Sequence, residues 1–131
     1  MAAMKDLYQS ADFKSEKHVP VIEAADKIKK GEAIKVTVTV GKEIPHPNTT
    51  EHHISWIELY FLPKGEKFPS QVARLEFSAH GASAQGPNTS TVYTLPLAVV
   101  NFKTEKTGTL IASSYCNIHG LWDNSKEISV E

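Results

Sequence analysis

In the stretch Ala33–Val40, apolar and polar side chains alternate without a break from Ile34 onward. Ile34, Val36, Val38 and Val40 fall on one face, and Lys35, Thr37 and Thr39 on the other. That is the period of a half-buried strand, and a helix, whose neighbours recur every three or four residues, cannot use it. The same period returns in Ile54–Phe61, with Ile57, Leu59 and Phe61 on one face, and in Val72–Ser78, with Ala73, Leu75 and Phe77 inward. Val92–Phe102, Thr109–Tyr115 and the short Lys126–Val130 read as further strands. Val19–Ile22 reads as an edge strand, because Pro20 has no N–H to donate to a ladder. Glu23–Lys30 has weak helical character that stops at Gly31, and residues 1–17 read equally as an arm or a turn of helix. Loops fall at Gly41–His53, Pro63–Glu66 and Gly81–Thr89, the last rich in Gly, Ser and Asn and expected to be mobile. Many short strands with regular turn signals predict an all-β fold, an immunoglobulin-like antiparallel β-sandwich of about seven strands.

At 131 residues the chain is expected to form a single domain, 1–131. The formal net charge of −1 and the absence of like-charge runs argue against nucleic acid as a partner. A single cysteine rules out an intrachain disulfide framework and fits a reducing compartment. Met1–Ser10 lacks the apolar core of a signal peptide, and the longest apolar stretch, Leu95–Val100, is interrupted by Pro96 and too short to span a bilayer. The expected location is the cytoplasm, with no membrane partner.

The lone thiol lies in Ser114-Tyr115-Cys116-Asn117-Ile118-His119-Gly120. Taken alone, Cys116 is as well explained as a small buried hydrophobe. Here it ends a strand, and His119 three residues on can turn back to the same point. Three more histidines stand in stiff or strand-end settings: His18 after Glu16-Lys17, His46 between Pro45 and Pro47, and His52 beside His53 before a strand. One thiolate and several imidazoles suit iron, copper or zinc. Structural zinc usually takes four ligands with several cysteines, which fits this set poorly. A cupredoxin-like copper site usually adds an axial methionine after its cysteine, and the only methionines here are Met1 and Met4. Copper electron transfer, or a non-catalytic sandwich stabilised by a metal, is the alternative to iron chemistry. His80 has no neighbouring cluster and reads as an exposed strand-end residue.

Three segments together, Glu16–Pro20, His46–Ile57 and Ser114–Trp122, resemble the superoxide reductases of the one-iron class, the neelaredoxins. Leu59–Pro63 and Pro87–Thr89 are similar to the family as well, so the likeness covers nearly the whole chain. The two-domain desulfoferrodoxins carry a cysteine-rich iron domain that a single cysteine excludes. The resemblance implies a mononuclear non-haem iron with His18, His46, His52 and His119 as equatorial imidazoles and Cys116 as axial thiolate. It implies that Glu16 occupies the sixth position in the oxidised state and that Lys17 is the positive charge nearby. It also implies reduction of superoxide to hydrogen peroxide, rubredoxin or a similar small redox protein as electron donor, and a homotetramer. Four neutral imidazoles and one thiolate leave a ferrous ion with a single net positive charge, which favours an anion at the open position. Peroxide must leave intact, so protonation and solvent access should decide the outcome, and an exposed site is expected for that reason.

His52 and His53 are adjacent, and neighbours in extended chain point to opposite faces. Only one is expected to face the iron. The resemblance selects His52; His53 shares its parity with Ser55, Ile57 and Leu59 and is expected to point away.

Overall fold

The computed structural model describes residues 1–131. A single short helix, α1 (Met4–Leu7), is followed by eight strands: β1 (Val21–Glu23), β2 (Lys27–Ile28), β3 (Ile34–Thr39), β4 (Ile54–Pro63), β5 (Ser70–Glu76), β6 (Leu97–Phe102), β7 (Gly108–Cys116) and β8 (Gly120–Val130). They form two sheets, β1-β3-β6 and β2-β8-β7-β4-β5. All pairings are antiparallel except the two-residue β2–β8 contact. The architecture is the expected β-sandwich.

The alternation that defines β3 is what joins the two layers. Ile34, Val36 and Val38 are each 0% exposed, while Lys35 between them faces solvent. They pack into one core with Ile57, Leu59 and Phe61 of β4, Leu110 and Ala112 of β7 and Ile128 of β8. Burial of this kind is worth roughly 1.5–3 kcal/mol per large aliphatic side chain, so one continuous stripe is enough to hold the sheets together.

Four local readings change. The last strand is not confined to Lys126–Val130; β8 begins at Gly120, directly after the cysteine turn. Glu23–Lys30 is not helical; Lys27 and Ile28 pair beside Ser129 and Val130 as a short parallel strand. In β5 it is Val72, with Leu75 and Phe77, that packs on the core, because the β4–β5 register shifts between Leu59 and Tyr60. The residues before Leu97 do not extend β6: Tyr93 pairs with His80 in an isolated bridge instead.

A second register shift positions the site. Ile54 pairs with Cys116 and Trp56 with Tyr115, so Ser55 is an extra residue, a β-bulge. The bulge lets Ile54 and Ile57, three apart, both point into the core. The parity drawn from His53 to Ile57 is therefore broken at Ser55. His52 itself lies in the bend before β4, two residues ahead of Ile54, which pairs with the cysteine.

Candidate metal centre

Cys116 and His119 flank the tip of the β7–β8 hairpin. Cys116 pairs with Gly120, leaving the three-residue loop Asn117-Ile118-His119 between them. Gly120 takes φ 82°, the left-handed conformation that closes such a loop. The tight turn folds His119 back: its backbone N–H points at Cys116 Sγ at 3.4 Å, and its ring Nδ1 lies 3.9 Å from the same sulfur. Cys116 itself is 0% exposed.

His18 enters from the chain before β1. Glu16 Oε1 accepts from His18 Nδ1 at 2.6 Å and from His18 N–H at 2.8 Å. With Nδ1 bonded outward, Nε2 is left facing inward, 3.1 Å from His119 Nδ1. Two ring nitrogens aimed at each other at this distance suit donors that share an ion between them. The indole of Trp122 stacks on His18 with centroids 5.0 Å apart and planes 13° apart, and its Nε1–H donates to the His119 carbonyl. Gln9 Nε2 donates to that carbonyl too, so the N-terminal arm ties down the hairpin tip. Trp122 stands within the segment that carried the resemblance, but nothing in the sequence assigned a role to it or to Gln9.

His46 Nδ1–H donates to the Pro47 carbonyl at 2.6 Å, which leaves Nε2 as the free lone pair, 3.5 Å from Cys116 Sγ. Gly41 lies beneath it at φ 85°; a Cβ there would sit 2.6 Å from His46 N. His52 is held by Thr49, whose Oγ1 accepts from His52 N–H at 3.0 Å and whose N–H donates to the His52 carbonyl at 2.9 Å. His52 Nε2 is buried and has no hydrogen-bond partner. An orphaned buried imidazole nitrogen is costly unless something outside the protein satisfies it.

The donor atoms of His18, His52, Cys116 and His119 all lie within 4.8 Å of one another, and His46 joins them through the sulfur. Ring centroids run 4.7 Å from His18 to His46, 4.8 Å to His52, 5.0 Å to His119 and 4.7 Å back to His18. The His18–His52 separation is 6.4 Å. Four nearly equal sides and a longer His18–His52 separation describe a ring of imidazoles, not a regular tetrahedron, in which every pair would be equally spaced. The buried sulfur adds a fifth donor to the ring, and His119 opens the group to solvent.

The electrostatics favour neutral donors. Burial drives His46 down to about 4, against the raising effect of its bond to Pro47; the neighbouring His18, His52 and Lys17 add to the fall. His52 is lowered by burial first and by His119, His18 and Lys17 next. Glu16 resists burial, which raises its carboxyl; the hydrogen bonds from His18 outweigh this and hold it below the usual range. Lys17 is half-buried, and its charge is felt at both His46 and His52.

His53 turns away, as expected, but not into open solvent. It stacks on His80 with centroids 3.5 Å apart and planes 4° apart. His80 is thus not an isolated exposed residue: its Nε2 bonds the Phe77 carbonyl and its Nδ1 is buried without a partner.

A search of protein families matches residues 10–125 to the desulfoferrodoxin model. The chain belongs to the desulfoferrodoxin family. It is similar to the superoxide reductase of Pyrococcus furiosus, 61% identical over 98% of this chain and 99% of that one. It is 52% identical to the neelaredoxin of Megalodesulfovibrio gigas over 98% of both chains. Its fold superposes on the reduced superoxide reductase (neelaredoxin) of Archaeoglobus fulgidus with a TM-score of 0.88, at 63% identity, covering 94% of this chain and 98% of that one. Family and donor set agree on a single iron centre. No helix is long and apolar enough to cross a membrane.

Proposed function

We propose that this protein is a superoxide reductase, in which His18, His46, His52, His119 and the Cys116 thiolate would together hold one iron. The observation that carries the reading is the ring of four imidazoles gathered at the buried sulfur of Cys116. The relatives' activity supports it. When bound, the iron supplies one-electron chemistry, cycling between ferrous and ferric. The balance is one superoxide, one electron and two protons consumed for each hydrogen peroxide formed.

The chain's own residues do the rest. Lys17 draws the anion toward the exposed, His119-lined side. Glu16 holds the His18 ring through Nδ1, which fixes its orientation with Nε2 facing inward. We assign Glu16 a second role, as a further carboxylate that would be available to the iron of the oxidised protein. The backbone N–H of His119 tempers the charge on the sulfur. The same reading takes residues 1–131 as one domain working in the cytoplasm, with rubredoxin or a similar small redox protein as donor. It takes the assembly as a homotetramer, a reading supported by the exposed apolar Leu95, Leu97 and Val99 along the β6 edge of the small sheet.

The test is the product balance with superoxide and an excess of reduced donor. A reductase gives one peroxide per electron consumed and releases no dioxygen. Dioxygen released with no consumption of donor would mean dismutation and would overturn the reading. A copper electron carrier with an axial methionine is disfavoured, since Met1 and Met4 are both exposed in the N-terminal segment.

A further inference from the structure

Asn117 follows the buried thiol but contributes no donor atom to the site. All of its hydrogen bonds reach across to the opposite loop. Its Oδ1 accepts from His53 N–H at 2.9 Å, its Nδ2 donates to the Glu51 carbonyl at 2.9 Å, and its backbone N–H donates to the His53 carbonyl at 3.2 Å. The three bonds grip the residue before His52 and the residue after it. His52 is left with its Nε2 buried, unpartnered and among the same donor atoms as Cys116 Sγ. On its other side the His52 backbone is closed against Thr49. Asn117 is one peptide bond from Cys116. The clip therefore ties the one imidazole of the donor group with an orphaned nitrogen to the residue next to the only thiol.

We propose that Asn117 is a positioning residue whose side chain sets the separation of His52 from Cys116, and so how firmly the His52 arm holds the metal. This rests on the reading that His52 and Cys116 bind iron. The chemistry calls for a carboxamide, one acceptor and one donor on a short fork. Aspartate keeps the acceptor for His53 N–H but turns a second lone pair toward the Glu51 carbonyl. Alanine removes both arms and leaves the backbone bond to His53, so the hairpin stays paired.

The experiment compares iron-loaded wild type, Asn117→Ala, Asn117→Asp and Thr107→Ala. Thr107 lies beside the opposite end of β7, where its Oγ1 accepts from Val130 N–H at 2.9 Å, and it has no route to His52. Three quantities are read: the rate of iron loss to an excess of chelator, the position of the thiolate-to-iron absorption band, and the melting temperature of the metal-free protein. Asn117→Ala is expected to lose iron about tenfold faster than wild type, the usual scale for a residue supporting a metal ligand, and to move the band. Asn117→Asp is expected to fall between the two, and it carries the test if the alanine variant does not fold. Thr107→Ala is expected to lower the melting temperature by a similar amount while releasing iron at the wild-type rate. Wild-type release rates and an unmoved band in both Asn117 variants, or equal acceleration in Thr107→Ala, would overturn the proposal. A wild-type protein that takes up no iron would instead overturn the metal assignment beneath it.

Discussion

His52 and His53 are chemically identical neighbours with opposite surroundings. One has a buried nitrogen with nothing to bond; the other lies flat on His80. His52→Ala is predicted to lower iron occupancy sharply, measured as iron per chain after identical reconstitution, while His53→Ala retains full iron and the wild-type visible spectrum. Loss of metal from the His53 variant alone would mean that the ligand register is off by one. His46 carries a pH prediction. Its imidazole titrates near about 4 in the folded protein, against about 6.5 in an unfolded chain. Between those values the unfolded state binds the extra proton, so stability falls as pH drops. The metal-free protein should therefore lose melting temperature progressively from about pH 6.5 toward pH 4. His46→Asn should flatten that slope. The adjacent-histidine choice was legible as alternation plus resemblance, whereas the His53–His80 stack was not. It joins two loops 27 residues apart through a bulge and an isolated bridge, and no local pattern announces such a meeting.

Elements were legible in proportion to how much of their burial is local. β3 alternates cleanly because one face is core and the other solvent, so Ile34, Val36 and Val38 revealed themselves. β2 did not, because two residues beside β8 carry no period at all. The bulge at Ser55 was equally silent: it shows only when Ile54 and Ile57 are found on one face. The Gly81–Thr89 loop read as mobile from composition, yet its residues are bonded into the structure. Asn88 Nδ2 donates to both carboxylate oxygens of Glu51, and Asn88 Oδ1 accepts from Thr50 N–H. These bonds brace the His52 loop from outside. The loop of His46 depends likewise on Gly41, whose left-handed backbone costs any other residue roughly 1–3 kcal/mol. Gly41→Ala adds a Cβ 2.6 Å from His46 N. It should displace that ring, read as a lower melting temperature of the metal-free protein together with weaker iron retention. Full retention with unchanged stability would show that the loop has slack.

At the scale of the molecule, a sandwich with a continuous aliphatic core supports donors drawn from three separated segments, one before β1, one before β4 and one at the β7–β8 tip. The core lets the site hold a buried sulfur on one side and an exposed histidine on the other. Fold class and donor list were legible because strand period and the rarity of cysteine are both global facts of the sequence. The ring of imidazoles was not, since it arises only when the three segments meet. The chain carries a formal net charge of −1, so attraction of an anion must come from local charge at the site rather than from the whole protein. Lys17→Ala should lower the bimolecular rate with superoxide several-fold and flatten its dependence on ionic strength, measured by stopped flow or pulsed superoxide generation. An unchanged rate and salt slope would leave Lys17 an ordinary surface charge.

The central claim is that four imidazoles and one thiolate hold a single iron. The most direct measurement is metal content together with the visible spectrum of the oxidised protein, purified from its native source, beside Cys116→Ser. The account predicts about one iron per chain and a thiolate-to-ferric absorption band that vanishes in the serine variant while the fold persists, hydroxyl and thiol being close in size. Stoichiometric copper or zinc in the wild type, or a band that survives loss of the sulfur, would contradict it.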